Sequence, residues 1–226
     1  MKVYSFYDPP KEERFRDHVV AALSAIGGGR LISEGLRIDS KFKYLLQVSV
    51  AFHDFGKIPF NRYKFSPGRR LSFEGHEVIS AWAVHRYLRG QGNVNGIESM
   101  VVELSVLLHH HPMNLQRRLR ALRGENRLRV GREDFELFYS ELEGVVRRGW
   151  EQEREIEASE VAGEVERRLG EMWREVWMNG GPKLRRLFLL NLQGLVAADY
   201  HSASINRGGS TEFGDVVGKF LANFMR

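Results

Sequence analysis

The stretch Ala51-Phe52-His53-Asp54-Phe55-Gly56-Lys57 sets a histidine beside an aspartate at the end of an apolar run. Leu45, Leu46, Val48, Val50, Ala51 and Phe52 leave almost no polar face on residues 39–55. A helix that is apolar nearly all round belongs in a protein centre. Asp39 or Ser40 reads as its N-cap and Gly56 as its stop. His53 and Asp54 then fall on its last turn, at the edge of a core, where polar groups are costly without partners. An imidazole nitrogen beside a carboxylate oxygen suits a divalent transition metal, although such a pair also arises by chance at a helix end. Both fold and chemistry therefore depend on whether the rest of the chain supplies further ligands.

The 226 residues are enough for one sizeable domain spanning 1–226. A hydrophobic content of 42% and a charged content of 28% fit a soluble globular chain. No apolar run is long enough to span a membrane, and the N-terminus lacks the apolar core of a signal peptide, so a cytoplasmic location is expected. Cysteine is absent, which excludes disulfides, thiolate metal sites and cysteine nucleophiles. Any metal must be held by histidine, carboxylate and water. The net charge of +5 and pI of about 9.5 favour a polyanionic partner. The 26 arginines against 8 lysines suit bidentate phosphate contacts, though a genome rich in G and C gives the same bias. No glycine-rich phosphate loop ending in Lys-Ser/Thr is present, which argues against an ATP-driven motor. Neither repeats nor the period-two alternation of a sheet are visible.

Residues 11–26 read as a helix with Phe15, Val19, Ala22, Leu23 and Ile26 on one face and His18 beside it. Residues 58–73 read as a basic loop carrying Arg69 and Arg70, long enough to suspect function. A helix over about 73–89 contains Glu74-Gly75-His76-Glu77 and Ser80-Ala81. His85 lies half a turn out of phase with His76 at about 100° per residue, so it is expected to be structural or exposed. A further helix runs from about Asn95 to His109-His110-His111, followed by Pro112. Three consecutive histidines cannot all converge. Pro112 disfavours helical geometry at His111 and so favours the pair His109–His110; His111 is the alternative member, because it falls on the Leu104/Leu108 face if the helix continues.

Between 116 and 132 the chain carries Arg117, Arg118, Arg120 and Arg123 among other arginines, with Glu125 as the sole acid. Close to a metal site, such a cluster reads as a track for a phosphate backbone. Residues 133–178 alternate acids and arginines and read as an exposed, ion-paired helical insertion or docking surface. A last apolar helix over about 182–204 delivers Asp199, and 211–226 reads as a short amphipathic helix.

The polar stations on apolar helices are thus His18, His53, Asp54, His76, His109, His110 and Asp199. Seven nitrogen and oxygen ligands exceed the needs of one metal. Two metals sharing Asp54 as a bridge would use them, and such a pair can activate water for an in-line phosphoryl displacement.

The pattern resembles that of the HD phosphohydrolase superfamily, H…HD…H…H…D. More narrowly, the chain resembles the HD nuclease of type I CRISPR interference. This narrower likeness rests on His53-Asp54-Phe55-Gly56-Lys57, Gly75-His76-Glu77 with Ser80-Ala81, the histidine pair, and Ala198-Asp199 with serines just after. It covers most of the chain from His18 to about Ser204, and 133–178 is matched least. The likeness implies an all-α helical bundle with a two-metal site at its centre. It implies endonuclease or exonuclease cleavage of single-stranded DNA with two divalent metals (Mn, Ni, Co, Fe or Mg). One metal would take His18, His53, Asp54 and Asp199; the other would take Asp54, His76 and the histidine pair. Asp54 and Lys57 would be catalytic, with Lys57 near the scissile phosphate. Arg69, Arg70, Arg117, Arg118, Arg120 and Arg123 would contact nucleic acid. The chain ends before a helicase could fit, so a separate helicase subunit and an RNA-guided surveillance complex are the expected partners. The alternatives are an HD phosphohydrolase of small nucleotides and a non-catalytic helical adaptor.

Overall fold

Helix α1 (Phe15–Ser24), α2 (Arg30–Ile38) and α3 (Phe42–Phe52) open a mostly helical fold in which α3 is central. From Val48 to Phe52 the α3 side chains are buried on every side, as a helix without a polar face requires. Around it pack α1, α2, α5 (His76–Arg89), α6 (Gly96–Leu108) and the long α10 (Gly181–Arg207). Their buried apolar residues form one contiguous cluster. The computed structural model describes residues 1–110, 114–150, 154–207 and 212–225. His111 lies outside the described residues, so the choice between the two histidine pairs is open on that side. Among the described residues no helix is long and apolar enough to cross a membrane.

The turn after α3 differs from the expected glycine cap. Phe55 N donates to Phe52 O, Lys57 N to Asp54 O and Ile58 N to Phe55 O, at 2.9–3.0 Å. These tight turns carry the chain directly into α4 (Lys57–Lys64). Gly56 stays right-handed at φ −60, so it is not needed for a left-handed cap. It is needed for space: a Cβ there would lie 2.0 Å from His76 O. Its N–H donates to Ser80 Oγ at 2.8 Å, which pins α5 against the turn. Gly75 precedes α5 at φ +90, a conformation that favours glycine.

The basic loop is shorter than expected because α4 takes its first half. Pro59 falls in the first turn, where no intrahelical acceptor is lost, so it does not break the helix. Arg69 and Arg70 remain exposed in the loop that follows.

The helix expected from residue 11 also begins later. Strands β1 (Tyr4–Asp8) and β2 (Lys11–Arg14) form an antiparallel hairpin, with a register shift between Tyr4 and Phe6. Four charged residues gave no alternation to read. Asn61 of α4 clasps the hairpin, accepting from Tyr4 N at 3.0 Å and donating to Tyr4 O at 2.9 Å.

Beyond α7 (Leu115–Arg123) a second small hairpin, β3 (Arg129–Val130) with β4 (Ile156–Glu157), brackets α8 (Arg132–Glu141). Helix α9 (Ala158–Trp173) follows, and after α10 come α11 (Glu212–Phe220) and a π-helical turn (Leu221–Met225). The segment 133–178 is less exposed than its charges suggested. Phe135, Phe138, Val161, Ala162 and Val165 join the core, and Arg168 meets the buried Glu103 at 2.7 Å. His85 Nδ1 lies 3.2 Å from the same Glu103, a structural partner well apart in register from His76.

Gly56→Ala is expected to destabilise the protein by about 1–3 kcal/mol, because the added methyl meets backbone rather than a yielding side chain. Urea unfolding measures this, and an unchanged midpoint would show that the approach to His76 is looser than described.

Candidate metal centre

Each polar station sits where a helix begins or ends, or on the inward face of one. His53 is the C-cap of α3, Asp54 follows it in the turn, His76 opens α5, and His109 is the C-cap of α6. His18 lies in the second turn of α1 beside Phe15 and Val19. Asp199 comes from α10, which packs along α1. His18, His53, Asp54, His76 and His109 are all buried. Only Asp199, with a side chain 21% exposed, and the half-buried His110 reach solvent.

Two groups form. The donor atoms of His18, His53 and Asp199 lie within 4.8 Å of one another, and so do those of His76, His109 and His110. Asp54 stands between them. Its Oδ2 is 3.3 Å from His18 Nε2 and 3.6 Å from His53 Nε2, while its Oδ1 is 3.2 Å from His76 Nε2. Asp199 Oδ1 is 3.1 Å from His18 Nε2 and 3.6 Å from His53 Nε2. Lys57 Nζ donates to Asp54 Oδ2 at 2.7 Å.

The outward nitrogens fix the inward ones. His53 Nδ1 lies 2.7 Å from Val50 O, His76 Nδ1 2.8 Å from Phe73 O, and His109 Nδ1 2.6 Å from Val106 O. A carbonyl can only accept, so each Nδ1 carries a proton and each ring turns its Nε2 inward; His53 Nε2 lies 3.2 Å from His18 Nε2. His76 Nε2, His109 Nε2 and Asp54 Oδ1 have no directed hydrogen bond, although the first and last approach each other. A buried unsatisfied polar atom costs about 1–3 kcal/mol. A cation among them would satisfy all three at once, so the donor set fits a metal.

The charges point the same way. Burial alone would raise the Asp54 pKa, but Lys57, His53, His76 and His18 hold it well below the usual carboxylate range. Asp199 is likewise held low against burial by His18 and His53. Burial, then the neighbouring His110 and His53, keeps His109 neutral, and burial with His76 pushes His110 down to about 3. Neutral imidazoles and ionised carboxylates are the forms that bind metal. His18 is the exception. Burial would lower its pKa, but hydrogen bonds to Asp199 and Glu13 and the charge of Asp54 raise it to about 9.

The arginines divide. Arg118 is mostly buried, with Nη1 2.5 Å from the buried Glu77, so it fastens α7 to α5 and does not face solvent as a free cation. Arg123 pairs with Glu166 and Arg117 with Glu74 at 3.1 Å. The Arg117 and Arg123 pairs are solvent-exposed, and such pairs hold their partners weakly. Arg120, Arg69 and Arg70 are exposed, and Arg70 Nε lies 3.8 Å from Asp8.

Glu13, Ser202 and Asn206 were not singled out as site residues from the sequence. Glu13 reads as one of four charged residues outside any core, and only the hairpin turns it inward. Ser80 and Glu77, quoted as parts of a motif, now have physical roles in holding Gly56 and Arg118.

A scan against protein-family models gives no match, and a search of the curated proteins gives none.

His18 sets a pH dependence for the chelator-treated protein. Its folded pKa is raised from 6.5 to about 9, so its contribution to stability is complete below pH 6.5 and is lost as pH rises through about 9. Urea midpoints of metal-free protein are expected to fall across that window. A flat profile would show that His18 is not held protonated.

Proposed function

We propose that the chain is a metal-dependent phosphodiesterase of the HD type. In this reading it is a nuclease cutting single-stranded DNA in CRISPR antiviral defence, acting in the cytoplasm with a separate helicase and an RNA-guided complex. The observation that carries the reading is the Asp54 carboxylate, which offers one oxygen to each of two ligand groups. His18, His53, Asp54 and Asp199 would hold one divalent ion, and Asp54, His76, His109 and His110 the other. The imidazole-rich second group suits Mn, Fe, Co or Ni better than Mg.

Bound there, the ions would supply Lewis-acid charge and a water nucleophile at neutral pH. The chain's own residues do the rest. Lys57 shields Asp54 and brings a cation to the site, where charge develops on a phosphate in the transition state. Asp199 and His110 mark the side open to substrate. The buried walls keep the electrostatics undiluted by water. Arg120 and Arg69 are exposed cations available to a phosphate backbone, with Arg70 beside Asp8 at 3.8 Å, and the net charge of +5 draws a polyanion in.

One observation favours the runner-up, an HD phosphohydrolase of small nucleotides. Arg117, Arg118 and Arg123 are each engaged by a glutamate, which thins the track a polymer would follow.

Circular single-stranded DNA incubated with Mn²⁺, beside a panel of mononucleotides and cyclic nucleotides, separates the two readings. DNA cutting that disappears in Asp54→Ala while the variant keeps its helical circular dichroism is the expected result. Nucleotide turnover without DNA cutting would overturn the nuclease reading, and full activity in Asp54→Ala would overturn the bridging role.

A further inference from the structure

Among the four imidazoles with inward Nε2 atoms, His18 alone has a carboxylate oxygen at close hydrogen-bond distance from Nδ1; the next nearest, Glu77 Oε2, lies 3.5 Å from His76 Nδ1, whose hydrogen bond goes to Phe73 O. Glu13 is buried, at 3% exposure, and its Oε1 lies 2.9 Å from His18 Nδ1. The same oxygen accepts from Asn206 Nδ2 at 2.7 Å. Ser202 Oγ also lies 2.9 Å from His18 Nδ1 while donating to His18 O at 2.8 Å. With its proton spent on that carbonyl, Ser202 offers the ring only a lone pair. Two acceptors thus converge on Nδ1, which must carry a proton, so Nε2, facing Asp199, His53 and Asp54, is the nitrogen that would give up its own proton to bind an ion.

We infer that Glu13 is a positioning residue that makes His18 the strongest nitrogen donor of the centre. This rests on the metal-binding reading of the centre. His53, His76 and His109 give their Nδ1 protons to neutral backbone carbonyls. A carboxylate acceptor carries full charge and raises the basicity of the opposite nitrogen. The two ligand groups are therefore unequal: the group of His18, His53 and Asp199 binds its ion more tightly than chain geometry alone would give.

The hairpin is what brings this charge inward. Glu13 pairs with Phe6, beside the register shift that sets Tyr4 opposite Arg14, and such irregularities re-aim side chains next to functional sites. The Asn61 clasp on Tyr4 then ties the hairpin to α4, the helix that begins at Lys57. For packing alone a glutamine would make the same contacts without burying a charge, which gives the inference a clean test.

Wild-type protein and Glu13→Gln, both stripped with chelator, are titrated calorimetrically with Mn²⁺. Wild type is expected to show two sites. In Glu13→Gln the affinity of one site should fall 10–100-fold and the other should stay unchanged. If wild type binds two ions and the variant binds them identically, the positioning role is wrong and the metal reading stands. If wild type binds none, the metal reading falls and takes this inference with it. Should the variant fail to fold, ¹⁵N-imidazole spectra of wild type loaded with Zn²⁺ decide the matter. A retained proton on His18 Nδ1, with Nε2 shifted by the metal, supports the inference, and zinc on Nδ1 or a lost Nδ1 proton overturns it.

Discussion

The buried charge of Asp54 is the constraint on which the rest of the centre depends. An ionised carboxylate taken out of water is expensive unless it is paired, and Asp54 is only 1% exposed. Its position is forced by sequence: the apolar face-less helix α3 must run through the core, and Asp54 comes two residues after its last apolar turn. The surrounding chain answers with Lys57 from the same turn and with imidazoles from α1, α3 and α5. These partners hold the carboxylate ionised, yet Oδ1 still lacks a directed hydrogen bond. A site built only for stability would leave no such oxygen among inward-turned imidazole nitrogens.

Helix ends supply the orientation. The last carbonyls of a helix have no intrahelical partner, and those of Val50 in α3 and Val106 in α6 instead accept the Nδ1 protons of His53 and His109. One contact thereby satisfies an orphan carbonyl and fixes a tautomer. Phe73 O does the same for His76 just before α5. The clustering of histidines at helix termini is thus a local solution to backbone hydrogen bonding as well as a way of aiming ligands. His18, in α1, has side chains as its Nδ1 partners instead, Glu13 and Ser202.

Much of this was legible in the sequence. The face-less α3, the stripe of α6 ending in histidines and the long α10 ending near Asp199 are strong periodic signals, and each delivers its polar residue inward as expected. What could not be read depends on contacts remote in sequence. Gly56 looks like a cap because a glycine after a helix usually is one; its steric role appears only when α5 is packed against it. Pro59 looks like a breaker unless the start of α4 is known to the residue. Glu13 becomes a site residue through a hairpin whose pairing, not its composition, creates it. The apolar positions of α9 were hidden among acids and arginines, and Arg118 looked free because nothing near it in sequence shows that Glu77 is its partner.

The most direct measurement is a crystal of the protein grown with Mn²⁺, examined by anomalous scattering at the manganese edge. Two peaks are expected, one on each side of the Asp54 carboxylate. Imidazole Nε2 atoms of His18 and His53 should lie about 2.0–2.3 Å from the first, and those of His76 and His109 the same distance from the second. A single peak that leaves one histidine group without metal, or manganese bound with Asp54 taking no part, would contradict the two-ion centre.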